Sequence, residues 1–416
     1  MLPKDNRKRL ELCHFDLPVH EIRRGYRSDV YFWRSKVVLE RSGNRNRGLI
    51  QVFQKKDALL CGVDEALGIL RMGIGHYTNL DRAYEVFDQY IDLKHEMRRL
   101  YLRERALHDD LVRHRRAVEE ELESLWISTH ADCQVRALFD SDAVAPWETA
   151  LTLEGRISDF IHLETLFLGV LARRTRVATN VARIVEAAGS KPILYFPARF
   201  DHWAVQGGDG YAARVGGAAG VSTDAQASWW GHRGMGTVPH ALIAAFEGDT
   251  AAAGRAYRRS LPQFKLTVLA DFHNDCVAAS LEAARTLGDE LWGVRLDTAA
   301  DMVDRSLAAE SAAAGGEDDL CGVNEALVFK VREALDGAGF SRVKIVVSGG
   351  FDVDKVRRFE ARGVPVDAYG VGSSLLRGQY DFTADIVQVE GRACAKEGRR
   401  FNPNDRLVPV DLDRLV

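Results

Sequence analysis

Two glycine turns in the last third of the chain have residue types and spacing that could do chemistry. An apolar run at 343–348 reads as a strand ending in Ser348-Gly349-Gly350, and Asp352 is placed to cap a helix beginning at Val353. Backbone N–H groups freed at such a turn, together with those of a helix N-terminus, make an anion site. The next strand ends in Gly370-Val371-Gly372-Ser373-Ser374, a second loop able to bring backbone close to a ligand. Either loop alone is explained by turn geometry. Two in succession, after the last strands of a β/α array, favour a phosphate. The G-x-G pattern by itself does not imply a dinucleotide fold.

Carboxylates recur at similar places. Asp271 and Asp297 follow the apolar runs 267–270 and 293–296, and Asn274 and Asp275 extend the polar rim. Each aspartate alone reads as a strand-end cap. Together they could hold sugar hydroxyls, stabilise a cationic transition state or meet a metal through water. His240 follows a glycine-rich stretch, Gly234-Met235-Gly236-Thr237-Val238-Pro239. A histidine there is a proton carrier or nucleophile, or else a structural or surface residue. Arg199, Asp201, His202 and Trp203 follow the run 192–196, where a guanidinium could clamp a carboxylate at two points.

The elements that must position these groups alternate. Strands are expected at 192–196, 212–217, 265–271, 290–297, 343–348 and 366–370, and 240–246 reads as a strand or a helix start. Helices are expected at 157–188, 276–287, 324–335 and 353–362. Apolar strands separated by amphipathic helices indicate a parallel sheet covered by helices. The polar residues cluster just past the strand ends, the face that carries the active site in a β/α barrel. The fold expected is α/β, an irregular β/α barrel at 151–380 with an N-terminal α+β domain at 1–150. A C-terminal extension at 381–416 holds a hairpin around Gly391 that returns to the first domain. In that domain 30–32, 36–39 and 48–53 read as strands, 65–71 as a helix, and 306–319 (within the barrel half) as a mobile or inserted loop.

Bulk properties exclude several classes. The 416 residues exceed what one core usually serves, and 46% hydrophobic with 28% charged residues is ordinary for a soluble globular chain. A net charge of −4 gives no broad attraction to nucleic acid or an anionic membrane. Arg98, Arg99, Arg103, Arg105, Arg113, Arg115 and Arg116 crowd a helical stretch, where Leu100, Leu107, Leu111 and Val118 keep helical spacing. Acidic residues interleave with the arginines, so a solvated, ion-paired helix face is expected. The six cysteines form no CxxC pair, so neither zinc nor disulfides are indicated. The first residues, including Lys4, Asp5 and Arg7, do not read as a signal peptide. A cytoplasmic protein is the expectation.

An ordered set of motifs then resembles the nicotinate phosphoribosyltransferases, above all their archaeal-type and divergent bacterial members. It runs through Ser28-Asp29-Val30-Tyr31-Phe32, Leu163-Glu164-Thr165, Val177-Ala178-Thr179 and Phe196-Pro197-Ala198-Arg199. It continues with Gly236-Thr237-Val238-Pro239-His240, Val294-Arg295-Leu296-Asp297, Val347-Ser348-Gly349-Gly350 and Tyr369-Gly370-Val371-Gly372. The resemblance implies transfer of phosphoribosyl from phosphoribosyl pyrophosphate to nicotinate, with Mg2+ as cofactor and ATP as co-substrate. It implies His240 as a phosphorylated histidine, and Asp297 and Arg295 facing the ribose. Tyr31, Arg199 and Phe196 would lie at the base, and Ser348, Gly349, Gly350, Gly370, Gly372 and Ser373 at the 5′-phosphate. Asp271, Thr237 and Thr179 would stand near the site. It also implies a homodimer or larger assembly in which Tyr31 serves a neighbour's site. The sequence departs from the family where Phe200 follows Arg199 in place of a common second arginine, where Asn180 replaces a frequent lysine, in Thr298-Ala299-Ala300-Asp301, which loses a polar pattern, and in the middle of Asp271-Phe272-His273-Asn274-Asp275. Transfer to another base such as quinolinate, or phosphoribosyl binding without turnover, are the alternatives.

Overall fold

The computed structural model describes residues 8–106, 108–313 and 320–415. Leu107, the charged residues before Lys8, and 314–319 of the expected 306–319 loop lie outside them. The chain divides into two compact units, one of residues 1–175 with 379–416 and the other of residues 176–378.

The first unit is built on a six-stranded antiparallel sheet. Its order is Arg392–Ala393, Phe382–Val389, Arg47–Gln54, Thr149–Arg156, Gln134–Ala137 and Val408–Val410. Phe382–Val389 turns at Gly391 into Arg392–Ala393 and pairs along Arg47–Gln54, which is the expected returning hairpin. Residues 151–175, expected with the barrel, pack here instead. Leu151 and Leu153 sit in the sheet, and Phe160, Leu163, Phe167 and Leu171 join the same apolar cluster as Leu67 and Leu70 of helix Val63–Gly73.

The expected strands at 30–32 and 36–39 are one helix, Val30–Arg41. Valines and aromatics made the segment look extended. Burial of Trp33 and Lys36, three residues apart on one face, overrides that propensity. Lys36 is fully buried, and its ammonium donates to the Gly75 and Ser158 carbonyls, both at 2.7 Å, and pairs with Glu40 at 2.9 Å. The arginine-rich stretch forms two helices, Leu80–Glu104 and Asp109–Leu125, packed through Val86, Phe87, Tyr90, Leu93, Val118 and Leu122. Arg115 pairs with Glu119 at 2.9 Å and Arg116 with Glu120 at 3.0 Å, the ion-paired face expected from charge alternation. Among the described residues no helix is long and apolar enough to cross a membrane.

The second unit is a curled, all-parallel half-barrel. Its strands are β1 (Ile193–Tyr195), β2 (Gly220–Val221), β3 (Leu266–Leu269), β4 (Leu291–Leu296), β5 (Lys344–Val347) and β6 (Ala368–Val371). They lie in the order β3-β4-β5-β6-β1-β2. No ladder joins β2 to β3. Instead the glycine-rich stretch 231–239 crosses between them: the Met235 N–H donates to Val221 O at 2.7 Å and the Val238 N–H to Thr267 O at 2.9 Å. The strand expected at 212–217 is absent. Gln206–Val215 is a helix, and the strand comes later at Gly220–Val221. Its glycines are packing residues, since a Cβ on Gly207 would lie 2.8 Å from the Trp229 ring and one on Gly210 would strike the Gln226 backbone. His240–Ala245 is a helix. Part of the expected 306–319 loop is also ordered, as the turn Arg305–Leu307 and the helix Ala308–Ala313, in keeping with its alanine content.

Candidate active site

Short turns at the C-terminal ends of β1, β2, β4, β5 and β6 line one cavity of about 490 Å3 within the second unit, to which β3 adds Leu269. Phe196 and Arg199 come from the turn after β1, Asp297 follows β4, Ser348-Gly349-Gly350 follow β5, and Gly372 and Ser373 follow β6. Gly370 lies within β6, Arg295 within β4, and Thr237 in the glycine-rich stretch. All of these expected site residues line the cavity. His240 and Asp271 stand just outside the lining, beside Pro239, which belongs to it. Thr179 is buried in helix Glu164–Ala188 and is not part of the wall. Tyr31 belongs to the first unit, near the start of helix Val30–Arg41, and is 59% exposed.

The floor is organised by Arg295. Its guanidinium donates to Ser348 Oγ at 2.7 Å, Asp297 Oδ2 at 3.0 Å and Thr237 Oγ1 at 3.3 Å, and it lies 5.2 Å from the centre of the Phe196 ring. The Ser348 hydroxyl in turn donates to Asp297 Oδ1 at 2.7 Å. Arg295 is thus committed within the protein, and it fixes Asp297 at the end of β4. Arg199 and Arg377 differ. Both line the cavity, and neither has an ion-pair partner among the described residues. Such guanidiniums are available to anions.

The glycines have separate reasons. Gly349 (φ +86°) and Gly350 (φ +71°) need the left-handed region. Gly370 and Gly372 are required by close approach, because a Cβ would lie 2.6 Å from the Phe196 ring and 2.8 Å from the Phe200 ring. The turn carrying Arg199 therefore sits directly against the β6 loop. Asp352 caps helix Val353–Ala361, accepting from the Lys355 N–H at 2.9 Å, so the helix N-terminus opens beside the Gly349-Gly350 turn. The Ser374 hydroxyl donates to the Phe351 carbonyl at 2.7 Å and ties the two glycine loops together.

At the seam, His240 Nε2 lies 3.0 Å from Asp271 Oδ2. The imidazole is half exposed, whereas Asp271 is largely buried, and its Oδ1 is enclosed without a hydrogen-bond partner among the described residues. Burial raises the Asp271 pKa, and the neighbouring His240 opposes that rise. The contact engages Nε2, and Nδ1 has no hydrogen-bond partner among the described residues. Among the described residues no group of three His, Cys, Asp or Glu side chains is placed to hold a metal ion.

Sequence reasoning did not single out Arg377, and it noted Asp352 only as a helix cap, Ser374 only as the end of the second glycine loop and Phe200 only as a departure. Arg377 comes back to the cavity because the chain makes a 3-10 turn, Ser373–Leu376, immediately before it. An arginine four residues beyond Ser373 was the available signal.

No family model matches the chain. A nicotinate phosphoribosyltransferase of Mycobacterium tuberculosis, pncB1, is 33% identical over 248 residues, which is 58% of this chain and 50% of that protein. The nicotinate phosphoribosyltransferase of Bacillus subtilis is 25% identical over 250 residues, 55% of this chain and 43% of its own length. The chain thus spans about half the length of the curated relatives it matches. Among solved structures, a nicotinate-nucleotide pyrophosphorylase of Pyrococcus furiosus superposes with a TM-score of 0.69 at 27% identity, covering 96% of this chain and 86% of that one. Human nicotinic acid phosphoribosyltransferase does so with a TM-score of 0.60 at 19% identity, covering 90% and 77%, a likeness of fold. In fold, and in sequence over a little more than half of its length, the chain is thus similar to nicotinate phosphoribosyltransferases.

Proposed function

We propose that the protein transfers phosphoribosyl from phosphoribosyl pyrophosphate to nicotinate, giving nicotinate mononucleotide and pyrophosphate, a step of NAD salvage. The observation that carries this reading is one cavity in which a double glycine cradle adjoins Arg199, a guanidinium without an ion-pair partner among the described residues and 5.2 Å from the centre of the Phe200 ring. The cradle suits a ribose 5-phosphate. Arg199 suits the nicotinate carboxylate, with Phe196 and Phe200 offering apolar walls to the ring.

In the reaction the C1–O bond to pyrophosphate breaks as the pyridine nitrogen lone pair forms the new C–N bond, and no proton is transferred. Positive charge builds on the ribose ring. The role of stabilising it falls, in this reading, to Asp297, a cavity-lining carboxylate held by Arg295 and Ser348. Catalysis by positioning and charge suits a site poor in acid–base groups. Mg2+ would enter on the diphosphate, where the lining carboxylates Asp297 and Asp352 are the groups to meet it. That ion supplies charge neutralisation of the leaving group.

The pairing of His240 with Asp271 supports a coupling role for ATP, with the phosphoryl group accepted at the unengaged Nδ1. Tyr31, exposed on the first unit, fits a base-stacking role in a neighbouring subunit of a homo-oligomer. A cytoplasmic location follows from the substrates. Quinolinate is the weaker acceptor, since a second carboxylate calls for a further cation and the residue after Arg199 is Phe200.

The test is pyrophosphate release by purified protein given phosphoribosyl pyrophosphate and Mg2+ with nicotinate, nicotinamide or quinolinate, with and without ATP. Turnover with nicotinate is expected. No release with any base would overturn the reading.

A further inference from the structure

We infer that Asn180 is a positioning residue of the phosphate cradle, acting through the backbone of the β6 loop; the inference rests on the function proposed above. Asn180 lies on helix Glu164–Ala188 and does not line the cavity. Its side-chain amide donates to the Leu375 carbonyl at 3.0 Å and to the Arg377 carbonyl at 2.8 Å. One NH2 group has two hydrogens, and both are used on the segment that carries Ser373, Ser374 and Arg377 into the cavity.

That segment needs such an anchor. Ser373–Leu376 is a single 3-10 turn, and Arg377 leaves it in an extended conformation (φ −80°, ψ 162°), so the Leu375 and Arg377 carbonyls have no regular helical partner. Leu375 is fully buried and pins the middle of the turn. Ser374 holds the near side through the Phe351 carbonyl, and Asn180 holds the far side. Together these contacts set where the Arg377 guanidinium and the Ser373 N–H point. A lysine at this position, the residue frequent in the family, would also donate hydrogen bonds. Aspartate, with the same shape, would present oxygen to oxygen.

The experiment compares Asn180→Asp, Asn180→Ala and Asn180→Gln with the wild type by steady-state kinetics, by calorimetric titration with ribose 5-phosphate, and by thermal melting. Asn180→Asp and Asn180→Ala are expected to raise KM for phosphoribosyl pyrophosphate and weaken ribose 5-phosphate about tenfold, with KM for nicotinate within about twofold. Asn180→Gln, which keeps both donors, should recover most of the loss. Unchanged ribose 5-phosphate affinity in the aspartate and alanine variants overturns the inference. So does a parallel rise of both KM values that follows a fall in Tm, which would mark a merely structural residue. A wild type that binds ribose 5-phosphate but turns over no base would defeat the functional proposal and leave the titration as a test of Asn180. A wild type that binds no ribose 5-phosphate overturns the cradle and this inference together.

Discussion

Replacing Arg199 with alanine separates the two substrates. The Arg199 guanidinium lines the cavity and lies 5.2 Å from the centre of the Phe200 ring. Losing that exposed contact costs about 0.5–1 kcal/mol, so Tm should fall by no more than about 2 °C. The nicotinate carboxylate loses a two-point charged partner. Each charged hydrogen bond is worth about 1.5–3 kcal/mol, and the exposure of Arg199 argues for the low end, about 3 kcal/mol for the pair. That corresponds to about a 150-fold loss in kcat/KM for nicotinate. KM for phosphoribosyl pyrophosphate should change less than about threefold, because the cradle is built from other turns. Nicotinamide, which lacks the charge, should lose less than about fivefold. The assay is steady-state pyrophosphate release with each substrate varied in turn. Equal losses for nicotinate and phosphoribosyl pyrophosphate would refute the assignment of Arg199 to the base.

Three further outcomes are expected. His240→Ala should abolish stimulation by ATP and retain ATP-independent transfer; stimulation that survives would remove the coupling role of the His240–Asp271 pair. Gly370→Ala places a Cβ 2.6 Å from the Phe196 ring, and should lower stability by about 1–3 kcal/mol and disturb the base wall, read by thermal melting and by KM for nicotinate. An unchanged Tm would show that the ring has room to move. Burial, and then the Asp385 and Asp29 carboxylates, push the Glu164 pKa up to about 7. A carboxyl raised on folding contributes stability that is full below about pH 4.5 and lost as pH rises through 7. Glu164→Gln should therefore gain about 1–2 kcal/mol over wild type at pH 8, after allowing for solvent screening, and little at pH 5. Denaturant melts giving the same difference at both pH values would contradict this.

The half-barrel was legible because its signal is redundant. Leu291–Leu296, Lys344–Val347 and Ala368–Val371 are short apolar runs, each followed by a polar or glycine turn and flanked by amphipathic helices. Period and punctuation agree there. They disagree at Val30–Arg41, where side chains favour extension and a buried Trp33–Lys36 face decides for helix. They disagree again at Gln206–Val215, whose glycines look like breakers and instead permit close packing. In the site, residues contributed directly by a strand end were readable from order alone. Arg377 was not, because its place depends on a single 3-10 turn held by Asn180 and Ser374. The aromatic approach of Phe196 to Gly370 is a tertiary contact with no local signature.

The stretch 231–239 is attached to the sheet at single points, by main-chain bonds of Met235 and Val238 at the two margins and by the bond from Arg295 of β4 to Thr237. β5 and β6, which carry the glycine cradle, lie innermost in the ladder, each with a strand on both sides. The molecule thus has a gradient of constraint across its catalytic face. Amide hydrogens in the middle strands should be the slowest to exchange with deuterium, and those of Met235 and Val238 should exchange much sooner. The segment leading to His240 is held by a few separate bonds, whereas β5 and β6 are held along both edges. Motion of the loop that leads to His240 therefore need not disturb the two glycine turns at the centre of the sheet.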